Sequence, residues 1–212
     1  MTNKLHPHSR LTIVNTFIAL AVTLGLCISA PTLAAPDASK ILIAYYSRTG
    51  NTKAVCKSLA AALEVDTIEI KDLKNRTSKL GVAGGMFRTL FGMRTKIEPK
   101  TTDLTSYEIV ILASPIWAAK ITPALRTFIK SNTISGKKVI LLTTSDTLLE
   151  EKYQQKNRTI ISKAGGSVIG FFQIRAADTE GNVKIPRAQA DIITDGVKHV
   201  PEIIKIIRQH IK

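Results

Sequence analysis

Cysteine is scarce in this chain of 212 residues, which contains only two. Cys27 lies in an apolar run near the N-terminus, and Cys56 lies in the remainder. If the N-terminal run is removed, Cys56 has no cysteine partner, so the mature chain forms no intrachain disulfide. The sequence therefore predicts a domain that is stabilised by packing.

An uncharged apolar run occupies residues 11–30 and follows Lys4 and Arg10. The small residues after it resemble a signal-peptidase site, so we predict an export signal over residues 1–35 and a periplasmic or secreted protein. The alternative is a retained membrane anchor formed by residues 11–30, because about 20 apolar residues can span a bilayer. One domain, residues 40–212, is expected to follow.

Acidic residues are also few, with 16 Asp and Glu against 30 Lys and Arg. Cleavage after residue 35 removes Lys4 and Arg10 and no acid, so the formal charge falls only from +14 to +12. Such a charge favours nucleic acid, an anionic membrane or an acidic protein as partner. We expect no nucleic acid, because the protein is predicted to be exported and has no zinc-finger, basic-zipper or aromatic ribonucleoprotein signature.

Several common site motifs are missing. The four histidines, at positions 6, 8, 199 and 210, form no metal-ligand spacing and no nucleophile triad with Cys or Asp. The sequence has no G-x-x-x-x-G-K-[ST] motif, and no G-x-G-x-x-G motif follows the first predicted strand. We therefore expect no metal and identify no catalytic side chain.

From Lys40 onward, short β-branched runs alternate with helical stretches. This alternation is typical of an α/β domain with a mostly parallel sheet that is covered on both faces. Helix 186–211 should be kinked or divided by Pro201. The predicted strands are 41–46, 66–70, 108–114, 138–144 and 167–174, and the predicted helices are 52–63, 121–132, 148–164 and 186–211.

The segment 71–107 is long for a connection between two strands. It contains five large apolar residues that we expect to cover the sheet, namely Met86, Phe87, Leu90, Phe91 and Met93. Its many cations either dock an acidic partner or form a solvated face. Within residues 71–100 the acidic residues are Asp72 and Glu98 alone, and the cations are Lys71, Lys74, Arg76, Lys79, Arg88, Arg94, Lys96 and Lys100.

The sequence SRTGNT follows the first strand and leads into a helix. Amides of such a loop and of the helix N-terminus point towards one place and favour an anion. Hydroxyl and amide side chains add donors, and Gly50 permits a tight turn. The alternative is a simple capped turn with Asn51 or Thr52 as N-cap. The predicted phosphate site consists of Ser47, Arg48, Thr49, Gly50, Asn51 and Thr52.

Two further loops are expected beside this one. In a 2-1-3-4-5 strand order the third strand neighbours the first, so Trp117 at its end lies near the phosphate site. A tryptophan there can stack on a flat aromatic ligand, or it can pack at the rim on its own helix. After the fourth strand, Thr144, Ser145 and Asp146 either close the pocket or only cap a helix.

The chain from about Lys40 onward resembles the flavodoxin family in the stretches YYSRTGNT and SYEIVILASPIWAAKITPALRTFI. The resemblance implies a flavodoxin-like three-layer sandwich with a five-stranded parallel sheet in the order 2-1-3-4-5. It implies FMN as cofactor, with residues 47–52 around the 5′-phosphate and Trp117 stacked on one face of the isoalloxazine. The loop against that ring would comprise Ser114, Pro115, Ile116, Trp117 and Ala118.

The third loop departs from the family, whose members usually carry an aromatic residue or a glycine-rich turn there. The resemblance implies an FMN-binding electron-transfer protein, and the predicted export signal implies that it acts outside the cytoplasm. One alternative is an FMN-dependent reductase of quinones or similar small acceptors, and another is a binding module without flavin. The expected partner is a redox protein, for which the basic charge favours an acidic one, or a small-molecule electron acceptor. Membrane contact is expected only through an uncleaved N-terminal segment.

Overall fold

The computed structural model describes residues 37–74, 76 and 78–211, so the predicted export signal lies outside the described residues. The strands are β1 (Ile41–Tyr46), β2 (Asp66–Asp72), β3 (Ile97–Glu98), β4 (Ile109–Trp117), β5 (Lys120–Ile121), β6 (Lys138–Ser145), β7 (Ser167–Arg175), β8 (Ala177–Glu180) and β9 (Val183–Pro186). The helices are α1 (Asn51–Leu63), α2 (Lys79–Leu90), α3 (Pro123–Ser131), α4 (Glu151–Ser162), α5 (Gln189–Val197) and α6 (Val200–His210).

The central sheet contains five parallel strands in the order β2-β1-β4-β6-β7, which confirms the predicted order. All six residues of β1 are buried, as expected for a strand that is covered on both faces. Two short strands of this sheet were not predicted: β3 pairs antiparallel with β2, and β5 pairs antiparallel with β4. The carboxyl ends of β1, β4 and β6 therefore lie side by side.

Helices cover the two faces of the sheet. Val55 and Leu59 of α1 pack with residues of α5 and α6 in one core cluster, which includes Ile192 and Ile203. Phe128 of α3, together with residues of α4, belongs to the cluster on the other face. Both clusters lie within residues 41–207, so a chain that begins at residue 37 retains every core contact described here.

The C-terminal region differs from the predicted single stretch 186–211. The helix is divided, as expected, and Pro201 occupies the first turn of α6, where its missing N–H costs nothing. A hairpin of β8 and β9 precedes α5 and was not predicted. Every residue of β9 is exposed, so the alternation of buried and exposed residues that identifies a strand is absent.

The prediction that the apolar residues of segment 71–107 cover the sheet is wrong. Phe87 is 58% exposed and Phe91 is 64% exposed, whereas the buried residues of α2 are Gly85 and Thr89. A Cβ atom added to Gly85 would lie 2.5 Å from Cζ3 of Trp117, so only glycine permits this close approach. Helix α2 therefore packs through its small residues and turns its large ones outward.

Arg76 is not part of an exposed basic cluster, as the sequence had suggested. It is buried, and its Nε donates to Asp72 Oδ2 at 2.8 Å. Its Nη1 donates to the carbonyl of Gly81, and Thr95 Oγ1 donates to the other Asp72 oxygen at 2.7 Å. This ion pair therefore attaches the start of α2 to the end of β2.

Candidate functional site

The loop between β1 and α1 leaves the N-terminus of a helix uncapped by any side chain. Gly50 is the N-cap residue and has a φ of 98°, a left-handed conformation that favours glycine. Its N–H donates to Ser47 Oγ at 3.2 Å. Neither Asn51 nor Thr52 is the N-cap residue, so the capped-turn interpretation is wrong. The first amides of α1 have no intrahelical acceptor and are available to an anion.

Asn157 of α4 holds the turn that follows β4. Its Oδ1 accepts from the Ile121 N–H at 2.8 Å, and its Nδ2 donates to the carbonyls of Ala119 and Tyr153. Ala118 and Ala119 both have positive φ values, 45° and 59°, which are strained for alanine. This two-residue connection between β4 and β5 thus keeps its shape because a buried amide satisfies the surrounding backbone.

Trp117 is fixed from two sides and is only 9% exposed. Its indole meets the Tyr46 ring edge-on, with centroids 6.1 Å apart and an interplanar angle of 87°. Gly85 of α2 contacts the benzo part of the ring. Trp117 therefore does not pack at the rim on its own helix, the alternative that the sequence left open.

Tyr46, which contacts this tryptophan, is itself buried. Burial, followed by the nearby Asp72 carboxylate, raises the pKa of the Tyr46 phenol to about 12, with Arg76 and Arg48 acting in the opposite direction. The phenol is therefore neutral at physiological pH and contributes packing rather than charge.

The three predicted loops meet at one cavity of about 270 Å³. Thr52 of the first loop and Thr144 of the third are joined by a hydrogen bond of 2.8 Å between their hydroxyls. Eleven of the fourteen predicted residues line the cavity, namely Arg48, Thr49, Asn51, Thr52, Pro115, Ile116, Trp117, Ala118, Thr144, Ser145 and Asp146.

The other three predicted residues do not line this cavity and instead support its loops. Ser47 accepts the Gly50 N–H, and Gly50 forms the helix N-cap. Ser114 is fully buried, and its hydroxyl donates to the carbonyl of Pro115 at 2.7 Å and accepts the Thr122 N–H at 3.3 Å.

Several residues at the site were missed by the sequence analysis. Val82 and Met86 of α2 line the cavity, as does Ala176 after β7. Gln189 of α5 places its Nε2 atom 3.3 Å from the position that a Cβ on Gly50 would occupy. The two adjacent glycines of α2 could have indicated that this helix lies at the site, because a helix with small residues on one face can approach an aromatic side chain closely.

The charges that line the cavity are balanced. Arg48 and Asp146 are the charged residues among the lining side chains. The excess of cations in the chain therefore lies elsewhere on the described domain. Cys56 does not line the cavity. It is fully buried in the core, and burial raises the pKa of its thiol.

The residues that the structure describes contain no cluster of three or more His, Cys, Asp or Glu side chains suited to a metal ion. Within the same part of the chain, no helix combines the length and the apolar character needed to cross a membrane.

Comparison with known proteins agrees with this fold. Residues 40–168 match the family model described as flavodoxin, so the chain belongs to the flavodoxin family and the sequence resemblance is confirmed. No match was found among curated proteins.

Solved structures share the fold at low sequence identity. A flavoprotein from Lactobacillus acidophilus NCFM, solved in complex with FMN, is 19% identical; the match covers 64% of this chain and 93% of that one, with a TM-score of 0.53. A flavoprotein from Bacteroides uniformis is 22% identical over 74% of this chain and 96% of its own, with a TM-score of 0.51. Another from Bacteroides eggerthii is 22% identical over 79% and 98%, also with a TM-score of 0.51.

Proposed function

We propose that this protein binds FMN in the cavity at the carboxyl ends of β1, β4 and β6 and serves as an electron carrier. The observation that carries the proposal is the uncapped N-terminus of α1, which opens into the same cavity that Trp117 lines. One end of the site suits a phosphate and the other suits a flat aromatic ring. Membership of the flavodoxin family and the FMN complex of the Lactobacillus acidophilus flavoprotein support this assignment.

The residues present fit this cofactor. Asn51 and Thr49 line the cavity at the start of α1, where amides and hydroxyls would hold the phosphate without a lysine. Trp117 and the strained turn after it would hold the ring system. The cavity is slightly smaller than the roughly 300 Å³ at the lower end of small-molecule sites, so part of the ligand would face solvent.

When bound, FMN supplies one- or two-electron transfer, and the protein supplies binding, orientation and electrostatics. The buried hydrogen bond between Thr52 and Thr144 joins the first and third loops, and Asn157 fixes the second. Together these contacts preorganise the three loops around one ligand.

A reductase of quinones or similar small acceptors is the second candidate. One observation favours it: no residue of Thr144–Asp146 is aromatic, so no aromatic side chain from this loop is available to cover the second face of a flavin. The cavity also extends to apolar side chains of α2, Val82 and Met86. A flat apolar acceptor would pack against these two side chains.

Steady-state turnover distinguishes the two functions. FMN-saturated protein would be mixed with NADH or NADPH and a soluble quinone, and nicotinamide oxidation followed by absorbance. An electron carrier gives no sustained oxidation until a separate reductase is added. Sustained oxidation by the purified protein alone would reject the carrier and assign the reductase.

We further propose that the protein acts outside the cytoplasm, on the basis of the apolar run 11–30 and the small residues after it. N-terminal sequencing of the protein recovered from a bacterial periplasm should give a chain that begins near residue 36. Recovery of an intact N-terminus from the membrane fraction would instead support the anchor.

A further inference from the structure

Six large apolar side chains are exposed on α2 and the turn after it, and together they form an apolar ridge. Leu80 is 87% exposed, and the rings of Phe87 and Phe91 contact each other with centroids 4.6 Å apart. Large apolar residues scattered singly on a surface need no explanation, but a contiguous patch marks an interaction site. The ridge consists of Leu80, Met86, Phe87, Leu90, Phe91 and Met93.

The ridge is surrounded by positive charge. Residues 73–97 contain no Asp or Glu, and exposed cations lie before, within and after α2. Next to the C-terminal end of α2, two adjoining cavities of about 310 and 460 Å³ share Arg126, Ile160 and Lys163 in their linings. We call these cavities the basic groove; its cations are Arg94, Lys120, Arg126, Lys130, Lys156 and Lys163.

Ridge and groove form one continuous surface. Lys120 Nζ donates to the carbonyl of Leu90 at 2.8 Å, and Gly92 and Arg94 line the groove immediately after the ridge residues Leu90 and Phe91. The groove lining includes no acidic residue. Arg126 is half-buried there and makes no ion pair within the described part of the chain.

We propose that this surface docks on an anionic phospholipid bilayer. A helix that presents Phe, Leu and Met beside Lys and Arg is typical of elements that lie in a membrane interface. The groove would receive phosphate headgroups while the ridge enters the acyl boundary. A protein partner fits less well, because lysine is depleted from protein–protein interfaces and four of the six groove cations are lysine.

The docked orientation has a consequence for the redox site. Met86 belongs to the ridge and also lines the cavity assigned to FMN, so docking places that cavity beside the membrane. The acceptor would then be a lipid-soluble quinone or a similar apolar carrier. This consequence rests on the proposed function, whereas docking itself does not require the flavin.

Vesicle co-sedimentation tests the docking. A chain of residues 37–212 is used, so that the N-terminal apolar run cannot insert into the bilayer. It is mixed with phosphatidylcholine vesicles and with vesicles containing phosphatidylglycerol, and FMN content is measured in the same samples. Two double variants are compared with the parent, F87S/F91S on the ridge and K130E/K163E in the groove.

Matched controls make the same changes elsewhere. V183S/I185S removes two exposed apolar side chains from the β8–β9 hairpin, and K205E/R208E reverses two charges on α6, across the sheet from the groove. We expect binding to the anionic vesicles only, weakened about tenfold by each test variant and by neither control. Circular dichroism checks that every variant is folded.

Three results would overturn the proposal. One is that protein which still binds FMN does not bind anionic vesicles. The partner of this surface would then be an acidic protein rather than a bilayer. Another is an equal loss of vesicle binding in the K205E/R208E control, which would show that binding depends on net charge alone. The last is reversible dimer formation that F87S/F91S abolishes, since the ridge would then dock on a second copy. Vesicle binding by protein that binds no FMN would support docking and reject only the proposed function.

Discussion

Asn157 does not line the cavity, but it holds the turn that follows Trp117. It is fully buried, and its amide contacts the backbone of the turn 118–121 and of its own helix. Buried polar groups with all of their hydrogen bonds formed specify one local geometry. We infer that Asn157 positions Trp117 for its ligand.

Asn157→Ala should therefore weaken FMN binding about tenfold and lower the free energy of unfolding by about 1–3 kcal/mol. Asn132→Ala is the matched control, because Asn132 is also buried and bonds to the backbone of Thr102 and Phe128 away from the cavity. We expect it to lower stability by a similar amount without changing the affinity. FMN titration and urea unfolding give both values, and equal affinity losses in the two variants would contradict the positioning role.

At the scale of the element, α2 is oriented by glycine rather than by its apolar residues. Gly85 faces Trp117, whereas a Cβ on Gly84 would have only ordinary contact with Arg76, at 3.9 Å. Alanine substitutions at these two adjacent glycines should therefore change the free energy of unfolding in opposite directions. Gly85→Ala should lower the free energy of unfolding by about 1–3 kcal/mol through overpacking. Gly84→Ala should raise it by about 0.4–1 kcal/mol through helix propensity.

Urea denaturation of the two variants measures this difference, with intrinsic tryptophan fluorescence as a second readout of the Trp117 environment. If Gly85→Ala proved as stable as Gly84→Ala, α2 would not be held by its contact with the indole.

Elements with a regular hydrophobic pattern, such as the five parallel strands and helices α1, α3 and α4, could be predicted from the sequence, whereas the short strands β3, β5, β8 and β9 could not. Runs such as ILIAYY predict β1 because burial selects β-branched and other apolar residues, and the ends of parallel strands then bring the three loops together. The roles of Val82 and Met86 depend on the rotation of α2, which a single tight contact decides. Strand β9 is exposed throughout and leaves no hydrophobic pattern.

At the scale of the whole molecule, charge is distributed unevenly. The mature chain would carry a formal +12, yet the cavity lining holds one arginine and one aspartate. The net positive charge of the domain as a whole favours the anionic reduced form of a flavin, so we expect a less negative reduction potential than in an acidic family member. Spectroelectrochemical titration that gave an equally low potential would contradict this.

Two substitutions at the cavity separate the local from the distant charges. Asp146→Asn should raise the reduction potential and Arg48→Gln should lower it, each by the equivalent of about 1 kcal/mol for an exposed charge. Both reduction potentials are measured on protein saturated with FMN, so that a loss of FMN affinity does not affect the comparison. Shifts of the same sign in both variants would show that structure rather than charge is responsible.

The central claim is that the cavity between residues 47–52 and Trp117 binds FMN. Its most direct test is a titration of FMN with the protein, followed by flavin fluorescence, for the parent and for a Thr49→Ala, Asn51→Ala double variant. We predict one-to-one saturation with quenching of the flavin, and an affinity at least about tenfold lower in the variant. Unchanged fluorescence with the parent protein, or equal affinity of the two, would contradict the claim.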